Sequence, residues 1–120
     1  MTTIIRKDGV SDWAHSGIIK AGDYYFVGYC SGNDQLDMKG QVATSLDELE
    51  RKLKLFDLSL ENVVQLNALL LDIWEIPIME EVFKSRFLGD YPVRKSIQTN
   101  FAHQNLRFQC DAICYKSSDE

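Results

Sequence analysis

Apolar and polar positions along the chain fall into two periods. Ile18-Ile19-Lys20 and Tyr24-Tyr25-Phe26-Val27 flank Ala21-Gly22-Asp23, and β-branched or aromatic runs broken by a Gly-Asp turn predict a β-hairpin. Thr3 to Lys7 adds a further short strand, ended by Asp8-Gly9. Leu46, Leu49, Leu53, Phe56 and Leu60 recur at spacings of three and four. That stripe predicts a helix with one face on a core, while Glu50, Arg51, Lys54 and Asp57 face water. Ser45 followed by Glu48 reads as a capping box and places the start of this helix at Ser45.

From Asn62 to Asp72 the chain is apolar with Gln65 and Asn67 inside it, and its Val-Val start and modest length favour a buried strand over a helix. Pro77 suits the first turn of a second helix, whose stripe is Ile78, Met79, Val82, Phe83 and Phe87 and whose end is Gly89. Arg94 to Asn100 and Leu106 to Tyr115 alternate as strands around a loop at 101–105. The expected order is β-β-β-α-β-α-β-β. A single domain over 1–115 suits a chain of 120 residues, with 116–120 as a flexible tail.

Charge narrows the partners. Thirteen basic against 18 acidic residues, net −5, offer no cationic footprint for a phosphate backbone, and Arg51, Lys52 and Lys54 are interleaved with Glu48, Glu50 and Asp57 as on a solvated helix face. No nucleic-acid partner is expected. The run 68–71 is far too short to span a bilayer, and residues 1–6 lack the order of a signal peptide, so no membrane partner and a soluble, cytoplasmic protein are expected. Cys30, Cys110 and Cys114 make an odd count without CxxC spacing, and neither His15 nor His103 forms a zinc-like pattern with them. Reduced thiols follow, with Cys110 and Cys114 on one strand face beside Phe108 and Ala112 as small core hydrophobes.

Four stretches together carry a resemblance: 16–27 with its Lys-Ala-Gly-Asp turn, 59–64, 79–89, and Pro92-Val93-Arg94-Lys95-Ser96 with Asp111-Ala112-Ile113. In order and spacing, over Trp13 to Tyr115, the chain resembles the RidA/YjgF family of small trimeric proteins, many of which hydrolyse reactive enamines and imines; the family is also known as endoribonuclease L-PSP-like. From Arg94 to Cys114 the pattern runs without a gap. The resemblance implies a chorismate-mutase-like α+β fold, a sheet covered on one face by two helices, and a homotrimer packed through the other face with ligand clefts between subunits. Physical reasoning agrees in part, since an uncovered apolar sheet face must find a partner.

The resemblance also implies a site. Arg94 would grip a substrate carboxylate, a task that suits the parallel N–H donors of a guanidinium; without the resemblance it would read as a surface arginine on a strand rim. Alternation puts Ser96 on the same strand face, as a second contact or an ordinary strand serine. Gln109 stands where active relatives carry a water-positioning glutamate, and an amide holds water but accepts no proton at neutral pH. Asp111 lies two residues, about 6.6 Å, further along that face, too far to substitute directly. His15 replaces a family tyrosine and could donate a hydrogen bond, though a lone histidine is more often a surface or packed residue. Glu80, at a family asparagine, reads as a first-turn carboxylate favoured by the helix dipole, and Glu81 as an exposed helix acid.

The function so implied is binding of a small 2-imino or 2-keto acid by Arg94, Ser96 and His15, with Arg94 and Gln109 as the catalytic set for hydrolysis to keto acid and ammonia. The alternative is a non-catalytic, carboxylate-binding trimer of the same fold. Neither metal nor other cofactor is implied, because water attack on an activated imine needs none. An endoribonuclease reading fits poorly with the acidic charge and the lack of a basic, aromatic-lined surface.

Overall fold

In the computed structural model, residues 3–119 are described; Met1, Thr2 and Glu120, the last residue of the expected tail, lie outside them. The elements are β1 (Ile4–Lys7), β2 (Ile18–Ala21), β3 (Tyr24–Ser31), α1 (Met38–Lys54), β4 (Val63–Leu70), α2 (Ile76–Phe87), β5 (Val93–Gln98) and β6 (Phe108–Tyr115). The fold is α+β: one six-stranded sheet in the order β1-β2-β3-β6-β4-β5, with two helices among the described residues. Among the described residues only the pairing of β4 with β5 is parallel, because α2 carries the chain back between them. The hairpin forms as its composition predicts, with Ala21 opposite Tyr24 across Gly22-Asp23 and Gly22 at φ 64°.

One face of the sheet builds the core. Val27 and Cys30 of β3, Leu66, Ala68 and Leu70 of β4, and Phe108, Cys110, Ala112 and Cys114 of β6 are all buried. They pack in one cluster with Val42, Leu46, Leu49 and Leu53 of α1 and Met79, Val82, Phe83 and Phe87 of α2. Both helical stripes therefore face the same side, and at roughly 2 kcal/mol for each large side chain this burial dominates the stability. Arg86 ties the helices together, donating from α2 to the Ala43 carbonyl and to Asp47 and Glu50 of α1.

The start of α1 corrects the capping-box reading. The helix begins seven residues before Ser45, at Met38, and its cap is Asp37, whose carboxylate accepts from Gly40 N at 2.9 Å. Ser45 lies inside the helix, its hydroxyl buried without a partner among the described residues, and Glu48 accepts from Arg51 instead of reaching back to a cap. Polar residues hid the first two turns. Gln41 is fully buried because its amide donates to the Leu36 and Asn105 carbonyls and accepts from Arg107 N, pinning the loop before β6 to the helix.

The opposite face of the sheet is open. It carries Phe26 and Tyr24 of β3, Ile113 and Tyr115 of β6, Leu69 of β4, and Val93 and Ile97 of β5, with Gln109, Asp111 and Asn67 among them. Tyr24, Phe26, Val93, Ile97 and Tyr115 are exposed. Beyond β6, Lys116 N and Ser118 N donate to Asp23 at the hairpin turn. No helix among the described residues is long and apolar enough to cross a membrane.

Candidate functional site

Arg94 enters β5 from a tight connection. After α2, Leu88 and Gly89 take positive φ (53° and 98°) and turn the chain into Tyr91-Pro92. Arg94 then pairs with Leu66 of β4 in parallel register, and Ser96 with Ala68. Parallel neighbours point to the same side, so Arg94 and Ser96 both project from the helix-covered face at the sheet's edge. There Arg94 meets α2: its Nη2 donates to Glu80 Oε2 at 3.1 Å. Arg94 and Glu80 line a cleft of about 330 Å³ with Phe83, Lys84, Tyr91 and Pro92. The Ser96 hydroxyl is buried and unpartnered among the described residues, two positions further along and outside the cleft lining.

Glu80 corrects a sequence expectation. It is not a first-turn residue of α2, whose first turn holds no acid; its Oε2 accepts from Arg94 across the cleft. Glu81, one residue on, is the exposed helix acid it was expected to be and pairs with Lys39 at 3.0 Å.

The other residues of interest gather elsewhere. Gln109 on β6 alternates with buried Phe108 and Cys110 and so projects from the open face, where its Nε2 donates to Ser31 Oγ at 3.0 Å. His15, held by a bridge to Val10, sets its ring edge-on to Tyr29 with centroids 5.4 Å apart, and its Nε2 is buried without a partner among the described residues. Together with Trp13, Leu69, Phe101 and His103 they line a second pocket of about 530 Å³. Behind Tyr29, the buried Lys52 of α1 donates to the Tyr29 carbonyl at 2.7 Å, beside the irregularity in β3 between Val27 and Cys30.

Within one chain the two groups do not meet. Gln109 is level with Leu69 and Ile97, three residues along from Arg94 and two strands across. Ideal spacings put their Cα atoms about 14 Å apart, and the side chains leave on opposite faces. The structure brings Arg94 together with Glu80, and His15 together with Gln109. Asp111 belongs to neither pocket, its carboxylate accepting from Asn67 Nδ2 at 2.9 Å on the open face.

No group of three or more His, Cys, Asp or Glu side chains that could hold a metal ion occurs among the described residues. The three cysteines are free and buried; burial pushes the Cys114 thiol up to about 12, and the hydrogen bond shared with Cys30, followed by burial, raises Cys110 well above the ordinary thiol range.

Sequence reasoning missed Phe83, Lys84 and Tyr91 as cleft walls and Glu80 as the partner of Arg94. The spacing of Glu80, Phe83 and Lys84 on one helical stripe was a signal, but only packing shows which strand that stripe overhangs.

No family model and no curated protein matches the chain. Solved structures do. The chain is similar to a hypothetical protein from Streptococcus pyogenes M1 GAS, described as a member of the highly conserved YjgF family. Identity is 45%, 98% of this chain and 99% of that one are covered, and the TM-score is 0.94. A YjgF-family protein from Mycobacterium tuberculosis superposes with TM-score 0.87 at 21% identity, over 95% of this chain and 100% of that one. RidA from an Antarctic Psychrobacter species gives 0.80 at 21%, over 86% and 89%; these last two likenesses show the fold alone.

Proposed function

Because this chain belongs to the YjgF/RidA family, we propose that it binds a small 2-imino or 2-keto acid, with the ligand carboxylate on Arg94. The observation that carries the reading is the Glu80 carboxylate already seated on that guanidinium at 3.1 Å, inside a cleft of about 330 Å³ with apolar walls. A guanidinium that takes one carboxylate there has further N–H donors for a second. The cleft is large enough for a ligand of a few carbons and too small for a polymer.

In this reading the cleft is completed by a second copy. The chain assembles as a homotrimer through its open sheet face, whose exposed Phe26, Ile97 and Tyr115 need cover. The His15 and Gln109 pocket of one subunit then lies over the Arg94 cleft of its neighbour. Opposite-face placement supports this arrangement, because no movement within one chain unites residues on two sides of a sheet.

The reaction suited to such a site is imine hydrolysis. Water oxygen bonds to the C=N carbon as the π electrons move to nitrogen, which takes one of the water's protons. The carbinolamine then passes its O–H proton to nitrogen, forms C=O and breaks its C–N bond, releasing keto acid and ammonia. Gln109 can orient the water through its amide but cannot take its proton. That amide favours the second reading, a non-catalytic binder of the same ligands.

Titration with 2-ketobutyrate tests the clamp, and Arg94→Ala is expected to weaken binding by about 10- to 100-fold, the worth of charged hydrogen bonds. Unchanged affinity refutes it. Keto-acid release from 2-aminoacrylate generated in situ separates the two readings: release by the wild type above buffer supports hydrolysis, while none by the wild type and a gain in Gln109→Glu supports the binder.

A further inference from the structure

The pairing of Glu80 with Arg94 has a bearing on which carboxylic acids the cleft accepts. Arg94 Nη2 and Glu80 Oε2 are 3.1 Å apart, and this is the one side-chain hydrogen bond that either residue makes among the described residues. Nη1 and Nε of Arg94 and Oε1 of Glu80 are left to a ligand. The cleft thus presents donors of fixed positive charge beside an acceptor of negative charge. Phe83, Tyr91 and Pro92 wall both, and the side chains of Arg94 and Glu80 are 31% and 43% exposed, so solvent only partly screens the pair.

We infer that Glu80 is a specificity-determining residue, making the cleft complementary to a zwitterion: a carboxylate for Arg94 with a cationic nitrogen on the adjacent carbon for Glu80. The ligand class is the 2-amino acids and protonated 2-imino acids. In such a molecule the nitrogen lies about 2.5 Å from the carboxylate carbon, from ordinary bond lengths and angles, so a carboxylate seated on Arg94 brings its nitrogen within reach of Oε1. A 2-keto acid of the same skeleton offers only a carbonyl oxygen there. It sets two acceptors and a second negative charge beside Glu80 with no donor between them, and like charges in a partly desolvated cleft repel. Lys84, one turn along α2, also lines the cleft; it is exposed, where a lysine offsets little. This selectivity rests on the proposed role of Arg94, and it gives the cleft a direction: a nitrogen-bearing ligand is held, and the keto acid left when that nitrogen departs is released.

The test titrates 2-aminobutyrate and 2-ketobutyrate into the full-length protein and its Glu80→Gln and Arg94→Ala variants, with thermal melts confirming that each is folded. The wild type is expected to bind 2-aminobutyrate about tenfold more tightly, and Glu80→Gln to erase or invert that ratio by weakening the amino acid and tightening the keto acid, each by roughly five- to tenfold. Arg94→Ala is expected to weaken both. If Arg94→Ala weakens both but the ratio is the same in Glu80→Gln as in the wild type, the selectivity is overturned and the clamp stands. If Glu80→Gln tightens both ligands equally, Glu80 only competes for Arg94 and the inference is likewise overturned. Binding of neither ligand by the wild type, or of both undiminished by Arg94→Ala, overturns the clamp and the selectivity together.

Discussion

Arg94 and Gln109 leave the same sheet on opposite faces, Arg94 beside Leu66 on the helix-covered side and Gln109 beside Leu69 on the open side. Each occupies a pocket of its own. One chain therefore holds two separate pockets, a cleft with Arg94 under α2 and a His15–Gln109 pocket on the open face, and the proposed function requires a second chain to join them.

Assembly is the first consequence. Phe26 and Ile97 are exposed on the open face, so Phe26→Asp or Ile97→Asp should cost a folded subunit within about 0.5 kcal/mol, as exposed substitutions do. Both changes bury a charge if that face is an interface. Sedimentation should show the wild type as a trimer and each variant as smaller species with unchanged helical content. Variants that sediment like the wild type would remove the open face from the assembly.

Helix α1 offers a test of its corrected start. Asp37 caps the helix through Gly40 N, so Asp37→Ala should lower stability by about 1 kcal/mol. Ser45→Ala should raise it by about 0.5 kcal/mol, since alanine favours the helix interior and removes a buried hydroxyl without a partner. Denaturant midpoints distinguish the two; a loss in Ser45→Ala comparable with that in Asp37→Ala would restore Ser45 as the cap.

The buried cysteines set an alkaline limit. Burial raises the Cys114 thiol from its ordinary value of 9.0 to about 12, so the fold favours the neutral thiol. Below pH 9 neither state ionises and the contribution is fully present; above it the unfolded chain loses a proton the native one keeps, and stability falls as pH rises towards 12. Urea midpoints from pH 8 to 11 should drop less steeply in Cys114→Ala than in the wild type. Parallel slopes would contradict the assignment.

Much of this was legible in the sequence. Apolar alternation located β3, β4 and β6 because each keeps a buried face, and the Leu46-Leu49-Leu53 stripe located α1. Its first two turns were not legible, because buried Gln41 and Ser45 look like surface residues until the loop carbonyls that Gln41 satisfies are in place. Alternation also put Ser96 on the same side as Arg94. What no local pattern contained was the face of Gln109 relative to Arg94, which depends on β5 joining β4 in parallel while β6 runs antiparallel between β3 and β4. The Glu80–Arg94 pair is hidden for the same reason: its partners meet only once α2 has packed over the sheet edge.

The shared site is tested most directly by mixing subunits. Arg94→Ala removes the clamp, and Gln109→Trp fills the pocket that should lie over a neighbour's clamp, so each variant alone should bind 2-ketobutyrate at least about tenfold more weakly than the wild type. Unfolded together in equal amounts and refolded, they should recover about a quarter of the wild-type sites, the fraction in which an intact Arg94 faces an intact Gln109 from another chain. No recovery in mixed oligomers, or wild-type affinity in Gln109→Trp alone, would contradict a site divided between two subunits.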